Sequence, residues 1–388
     1  MRVLSSLLLP VLLALAAAAP ADAAKRRPVP YPFLGVSADG PALDPRMDLN
    51  RELDLMVGSG VQSVRAVFHW GVAQPYRSFE EVPPEERPRF RDEGGVPTDW
   101  SAIDRIVAGA TQRRMRVLPV VTVAPNWAAR HPGRFNSPPS DFDAFARFTA
   151  ALARRFGPNG SFWAENPGLP RVPLREYQAW NEPSLKVFWS DDGWDRDYVQ
   201  LLKVTRPALL AADPGAKMVL AGLPNESWKA LRLIYKAGGR RHFDIAAVHP
   251  FTALVKNVIR IVELSRDVMR KYGDRRKPLM VTETSWPSSR GKTSTRYAFE
   301  VSEKQQAARL RDVLPAFARA RGRLGIRRVY WFTWMGIERG DYLFDYAGLR
   351  RLEGDRIESK PALAAYRRAA LALQRCKRKS DRADRCAR

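Results

Sequence analysis

Tyr177-Gln178-Ala179-Trp180-Asn181-Glu182-Pro183 is a short apolar run that closes on an acid. Leu279-Met280-Val281-Thr282-Glu283-Thr284-Ser285-Trp286-Pro287 repeats the arrangement 101 positions later. Continuous apolar runs of this length read as strands buried on both faces, as in parallel sheets, where polar–apolar alternation disappears. A carboxyl at the last position of such a strand is costly to desolvate unless it is paired or used.

Working outward, similar runs recur at Phe33–Val36, Val61–Phe68, Arg116–Val123, Lys217–Ala221, Ile245–Val248 and Arg328–Phe332. With Glu176–Trp180 and Leu279–Thr282 they make eight candidate strands, each followed by a helical pattern. Asp141 precedes a stripe of Phe142, Phe145, Phe148, Leu152 and Phe156 that Gly157 ends, which gives a start, a helical period and a stop. Trp100, Ile103, Ile106, Val107 and Ala110 form a second such face, and Ser302 with Gln305 spells a capping box. Eight alternations predict an α/β fold, a (β/α)8 barrel with long loops on its C-terminal face. An open doubly wound sheet is the alternative, but Gly58-Ser59-Gly60 ends a helix instead of opening one, so its phosphate-binding turn is missing. Both glutamates then fall at the C-terminal ends of the fourth and seventh strands, the face where barrel enzymes keep their chemistry. The longest connections, Gly71 to Asp99, Ser184–Trp194, Ser285–Phe299 and Met335–Ser359, leave that same face.

The chain has 388 residues and a formal charge of +24, with no low-complexity tract. Arg2, an apolar stretch from Leu7 to Ala19 and a small-residue exit read as a secretory leader over residues 1–24. The run is shorter than the ~20 residues of a spanning helix, and nothing later is long and apolar enough, so export without a membrane span is expected. The barrel is expected over residues 25–370 and a basic tail over 371–388. Cys376 and Cys386 both lie in that tail, where one disulfide fits an oxidising compartment. The charge has two readings: arginines scattered over solvated helices, or attraction to an anionic polymer such as an acidic glycan. No nucleic-acid motif accompanies it.

Two strand-end carboxyls flanked by aromatic residues suggest the acid pair that cleaves a glycosidic bond. The wording around them resembles clan A of the retaining glycoside hydrolases. Phe156-Gly157-Pro158-Asn159-Gly160-Ser161-Phe162-Trp163-Ala164 ahead of Gln178-Ala179-Trp180-Asn181-Glu182-Pro183 looks most like glycoside hydrolase family 39 and its relatives, which include xylosidases, iduronidases and exopolysaccharide hydrolases. The resemblance covers about Phe33 to Ala369. It implies that Glu182 is the general acid/base, Glu283 the nucleophile, Asn181 a ligand of the sugar 2-hydroxyl, and Arg65 a neighbour of the nucleophile. For Arg65 a structural salt bridge is the competing role, and for His249, at the end of the sixth strand, simple satisfaction by neighbours competes with substrate contact. The chain departs from the clan pattern at Phe251, where many members carry a tyrosine that touches the nucleophile; Tyr330 or another loop hydroxyl is the available replacement. Trp127 and Trp334 are the foremost candidate sugar-stacking platforms, with Trp70 a third, whereas Trp331 reads as core.

There is no His-Glu-x-x-His and no Gly-x-Ser-x-Gly, so no metal or other cofactor is expected. The expected partner is a carbohydrate, with an acidic glycan one option, acted on by a monomer with no nucleic-acid partner. Two other classes stay open: a barrel that binds carbohydrate with little or no catalysis, and a wall protein held by charge alone.

Overall fold

The computed structural model describes residues 28–387; the expected leader over residues 1–24 lies outside the described residues. Strands Leu34–Ser37, Ser63–His69, Arg116–Thr122 and Glu176–Ala179 are followed by a fifth in two pieces, Lys217–Val219 and Leu223–Pro224. Ala246–His249, Leu279–Val281 and Ile326–Trp331 complete the set. Neighbours pair in parallel, and the first strand pairs with the eighth. The first piece of the fifth strand pairs with the fourth strand and the second piece with the sixth. A bridge between Val219 and Ile245, with Leu220 N–H donating to Ile245 C=O at 3.0 Å, joins the two sides. The sheet is therefore the wall of a (β/α)8 barrel, not an open doubly wound layer.

Eight outer helices follow the eight strands in turn: α1 Leu49–Gly58, α2 Ser101–Gln112, α3 Phe142–Phe156, α4 Trp194–Ala212, α5 Ser227–Lys236, α6 Val255–Lys271, α7 Glu303–Leu324 and α8 Pro361–Gln374. Asp141 caps α3 by accepting from Ala144 N–H, as its position predicts. The Ser302–Gln305 capping box at the start of α7 is formed in both directions. Gly157 ends α3 in extended geometry, and a Cβ there would stand 2.4 Å from the Ala153 carbonyl oxygen, so the close approach requires glycine.

The barrel interior is layered. At its base Arg328 pairs with Glu176 at 2.7 Å and with the Tyr330 hydroxyl at 3.0 Å, and Tyr330 meets Ser63 Oγ at 2.9 Å. The Tyr330 ring fills the space beside Gly35, where a Cβ would come within 2.5 Å of it. Tyr330 is thus committed to the base and cannot supply a hydroxyl at the opposite mouth. One layer higher, Ser37, Arg65 and Gln178 point inward, and above them lie the strand-end acids.

The loops after the seventh and eighth strands are tied together by Lys360. Its ammonium lies 2.5 Å from Glu338, 2.7 Å from Ser288 Oγ and 2.9 Å from the Tyr346 carbonyl. Cys376 and Cys386 form a disulfide that closes the tail, and Ala383 N–H of the tail donates to Arg113 C=O. Among the described residues no helix is long and apolar enough to cross a membrane.

Because the Ser302 cap is exposed and its box pays no packing role, Ser302→Ala should cost about 1 kcal/mol of stability. Chemical denaturation should show that loss while any catalytic rate stays at the wild-type value.

Candidate active site

The chain reaches its two glutamates through strained backbone. Trp180 and Glu182 both hold left-handed φ values, 67° and 40°, which cost non-glycine residues of order 1–3 kcal/mol each. Surrounding bonds fix them: Trp180 N–H to Val121 C=O at 2.8 Å, Trp180 Nε1–H to Phe188 C=O at 2.8 Å, and Glu182 N–H to Gly222 C=O at 3.2 Å. The result turns the Glu182 carboxyl over the barrel mouth towards the strand-seven end. Among the described residues, Glu182, His249 and Glu283 bring one oxygen or nitrogen each to within 4.8 Å of one another.

The two acids meet different neighbours. Glu283 Oε1 lies 2.8 Å from Arg65 Nη1, a guanidinium that is 1% exposed. Arg65 also donates to Asn181 Oδ1 at 2.7 Å and Gln178 Oε1 at 3.1 Å, and faces Asp39 at 3.6 Å. Glu182 instead has His249, with Nδ1 at 2.6 Å from Oε1, while His249 Nε2 lies 2.9 Å from Thr282 Oγ1. Arg65, Asn181, His249 and both glutamates are therefore one constellation, as the sequence places them.

Burial pushes the Glu182 carboxyl up to about 8, only partly opposed by Arg65. Burial also raises Glu283, with His249 and Arg65 pulling it back and Glu182 and Asp39 pushing it higher. His249 is driven down to about 3, chiefly by burial, so its imidazole is neutral at ordinary pH. One proton shared by the two acids belongs on Glu182, because the guanidinium stands against Glu283. Carboxylates and an imidazole could in principle ligate a metal. Here the guanidinium already neutralises Glu283 and the imidazole is hydrogen-bonded to Glu182, so a metal would have to displace both contacts.

The fifth strand breaks where His249 needs room. A Cβ on Gly222 would stand 1.7 Å from His249 Nε2, so only glycine lets the imidazole sit beneath Glu182. No pattern within the fifth strand alone announces that requirement.

The tryptophans are placed differently from expectation. Trp334 is fully buried, and its indole N–H donates to Glu52 of α1 at 2.7 Å. Trp70 is fully buried as well, stacked on Phe148 at 6.1 Å within the aromatic layer under α3. Neither presents a face to a sugar; closeness to a strand end in sequence does not fix which way a side chain points. Trp127 is half-buried and lines a depression of about 440 Å³ with Arg77, Gly95, Asp141 and Arg147, to which neither Glu182 nor Glu283 contributes.

Sequence reading missed Asp39 and Tyr342. Asp39, two residues past the first strand, faces Arg65 and leaves Oδ1 buried without a partner; an acid just beyond a strand end was the available signal. Tyr342, in the loop after the eighth strand, has its phenol pushed up to about 12 by burial and then by the charges of Glu283 and Glu182. Its ring, 58% exposed, packs on Phe344, which packs on Phe251 at 4.9 Å. Nothing in a long loop marks which tyrosine returns to the mouth.

No family model matches the sequence. A β-xylosidase of Geobacillus stearothermophilus is 26% identical over 121 residues, which are 30% of this chain and 22% of that protein. Among solved structures, a monomeric β-xylosidase from Caulobacter crescentus CB15 superposes with a TM-score of 0.62 at 18% identity, covering 88% of this chain and 68% of that one. The family 39 glycoside hydrolase of Xanthomonas axonopodis pv. citri gives 0.62 at 18%, covering 88% and 66%. A family 5 enzyme of Bifidobacterium longum, solved with a mannosyl-N-acetylglucosamine disaccharide, gives 0.61 at 14%, covering 88% and 78%. The chain thus has the (β/α)8 fold found in family 39 and other clan A glycoside hydrolases. It spans about two thirds of the length of the two family 39 structures, and the matched stretch about a fifth of the curated β-xylosidase.

A raised carboxyl makes a signed prediction for stability. Its contribution is complete below the ordinary carboxylate range and is lost as pH rises through the folded-state value. Glu182→Gln should therefore raise Tm relative to wild type at pH 8.5, with the difference vanishing near pH 4. Thermal melts across that range decide it; a wild-type and variant difference that does not change with pH would show Glu182 ionises as freely folded as unfolded.

Proposed function

We propose that the protein is an exported glycosidase that cleaves O-glycosidic bonds of an oligo- or polysaccharide by double displacement with retention. The observation that carries this reading is the pair Glu182 and Glu283, whose nearest oxygens lie within 4.8 Å while one faces a guanidinium and the other a neutral imidazole. Retaining enzymes hold their carboxyls roughly 5–5.5 Å apart, and inverting ones roughly 6.5–9.5 Å, to admit a water. The short gap favours attack by the enzyme's own carboxylate.

Each residue then has a task. Protonated Glu182 gives its proton to the leaving oxygen as the glycosidic bond breaks. Ionised Glu283 attacks the anomeric carbon, forming a glycosyl ester. Glu182, now ionised, takes a proton from water, whose oxygen attacks the same carbon and releases Glu283. The His249 tautomer that serves this cycle has Nδ1–H donating to Glu182 Oε1 and Nε2 accepting from Thr282, leaving Oε2 of Glu182 to carry the mobile proton. Asn181 spends its carbonyl oxygen on Arg65, so its amide NH₂ is available to a sugar hydroxyl.

Two relatives by fold are described as β-xylosidases, which makes neutral β-glycosides the first substrates to try. The disulfide fits an oxidising compartment and hence export, and a relative described as monomeric fits action as a monomer. One feature favours the competing reading of a binding barrel with weak catalysis: Phe251 gives Glu283 no phenolic hydrogen bond.

Two substitutions separate the readings. Glu283→Gln should lower turnover by at least about three orders of magnitude while Tm is kept. Glu182→Ala should cripple substrates with poor leaving groups and largely spare glycosylation by dinitrophenyl glycosides, with azide restoring turnover by replacing water. Wild-type rates in Glu283→Gln, or equal losses on both substrate types without azide rescue, would overturn these roles. A wild-type protein that binds glycans but turns over none of an aryl-glycoside panel would establish the binding barrel.

A further inference from the structure

Nine of the 24 net positive charges of this chain lie on three neighbouring helices of the barrel's outer ring. Helices α6, α7 and α8 are consecutive in the outer ring and carry thirteen lysines and arginines against four acidic residues. Helices α1 to α4, of nearly equal total length, carry eight against six. Ten of the thirteen are arginines, the side chain whose planar fork matches carboxylate, sulfate or phosphate. A few are engaged: Arg323 with Glu263 at 2.6 Å, Arg270 with Asp267 at 3.0 Å, and Arg266 buried on backbone carbonyls. Arg311, Arg319, Arg367 and Arg368 are exposed and have no ion-pair partner among the described residues.

Their placement forms a track. Outer helices run back from the catalytic mouth to the barrel base, so Lys304, in the first turn of α7, stands at the rim. Arg311, Arg319 and Arg323 follow Lys304 at spacings that keep them on one face of α7, whose 22 residues span roughly 33 Å. Arg319 stands between two depressions. One, of about 550 Å³, lies between α7 and α8 and is also lined by Arg321; the other, of about 370 Å³, lies between α6 and α7 and is also lined by Lys256 and Arg323. Pro315, Ala316, Ala318 and Ala320 keep the floor of both low.

We propose that this flank is a docking track for an anionic polysaccharide bearing carboxylates, held outside the cleft so that the polymer reaches the barrel mouth along the arginine row. The partner class rests on the glycosidase reading of the cleft, since the track begins at its rim. Independent features of the flank disfavour other polyanions. The aromatic residues of the three helices, Phe317 and Tyr366, are fully buried, which leaves no ring for nucleobase stacking. None of the large exposed apolar side chains falls within these helices, so there is no apolar face to enter a bilayer.

Polygalacturonate is the probe, with neutral xylan, duplex DNA and anionic phospholipid vesicles beside it. Binding is measured on full-length Glu283→Gln protein, so turnover does not enter. Polygalacturonate should bind with an affinity that falls steeply as salt rises, and xylan should show no such dependence. Reversing Arg311, Arg319, Arg367 and Arg368 together to Glu should weaken polygalacturonate binding by about tenfold or more at 0.1 M salt. The same four changed to Gln should give a smaller loss of the same kind, which guards against misfolding of the first variant. Reversing Arg51, Arg147, Arg196 and Lys203 on the other flank makes the same change in net charge and should weaken binding far less. Equal losses from the two reversals would show that net charge acts without a track. Tighter binding of DNA or vesicles than of polygalacturonate would overturn the partner class. In the wild-type background the flank reversal should leave hydrolysis of a small aryl glycoside unchanged; absence of all glycoside turnover would sink the glycosidase reading alone, leaving the binding result to stand.

Discussion

The mouth of this barrel depends on one buried cation. Arg65 rises from the second strand into the barrel axis, 1% exposed, and its guanidinium meets Glu283, Asn181, Gln178 and Asp39. A guanidinium at that depth is tolerable only because its donors are taken up by acceptors. Those acceptors come from the first, fourth and seventh strand regions, so one side chain sets where three strand ends stand. Removing it would leave two carboxyls unneutralised within the same small volume, a loss of several kcal/mol by the usual scale for a broken buried pair. It would also release Asn181, whose amide orientation is fixed by that contact.

The same volume uses its low dielectric in opposite ways on two like groups. Burial raises both carboxyls, but Glu283 keeps a cation at 2.8 Å and Glu182 only a neutral imidazole. Two acids of one chemical type are thereby pushed towards different protonation states, the separation of roles that acid-and-nucleophile catalysis needs. His249 belongs to this division because it stays uncharged; a protonated imidazole would pull Glu182 towards ionisation. Its position in turn requires the glycine at 222 and the interruption of the fifth strand. A departure from regular sheet geometry on one strand is thus set by a side chain from the next.

Legibility in the sequence divides along these physical lines. The eight strands and the caps of α3 and α7 were readable because burial on both faces and capping chemistry are local signals. Glu182, His249 and Glu283 were readable together because strand ends on one barrel face converge, whereas Arg65 and Asn181 were placed beside them by the family resemblance. What was not readable depends on direction or on distant partners. Trp70 and Trp334 follow strand ends but turn away from the mouth, one into the aromatic layer under α3 and one onto Glu52 of α1. The break at Gly222 answers to a ring on another strand. The basic residues looked scattered along the chain, and only the ring order of the helices gathers α6, α7 and α8 onto one flank.

Phe251 shows how a lost hydrogen bond and a gained environment balance. It is buried beside His249 and packs against Phe344, Phe299 and Phe332, with ring centroids 4.9, 6.1 and 6.5 Å away. A phenol at this position would need a polar partner inside that apolar group, whereas phenylalanine adds to it. Excluding water here strengthens every remaining electrostatic contact at the mouth, including the pull of Arg65 on Glu283. What holds Glu283 towards ionisation is then the guanidinium of Arg65 at 2.8 Å together with the His249 ring at 3.6 Å. Tyr342, carried on a loop that Lys360 anchors through Glu338 and the Tyr346 carbonyl, brings a hydroxyl close enough for the charges of both glutamates to raise it.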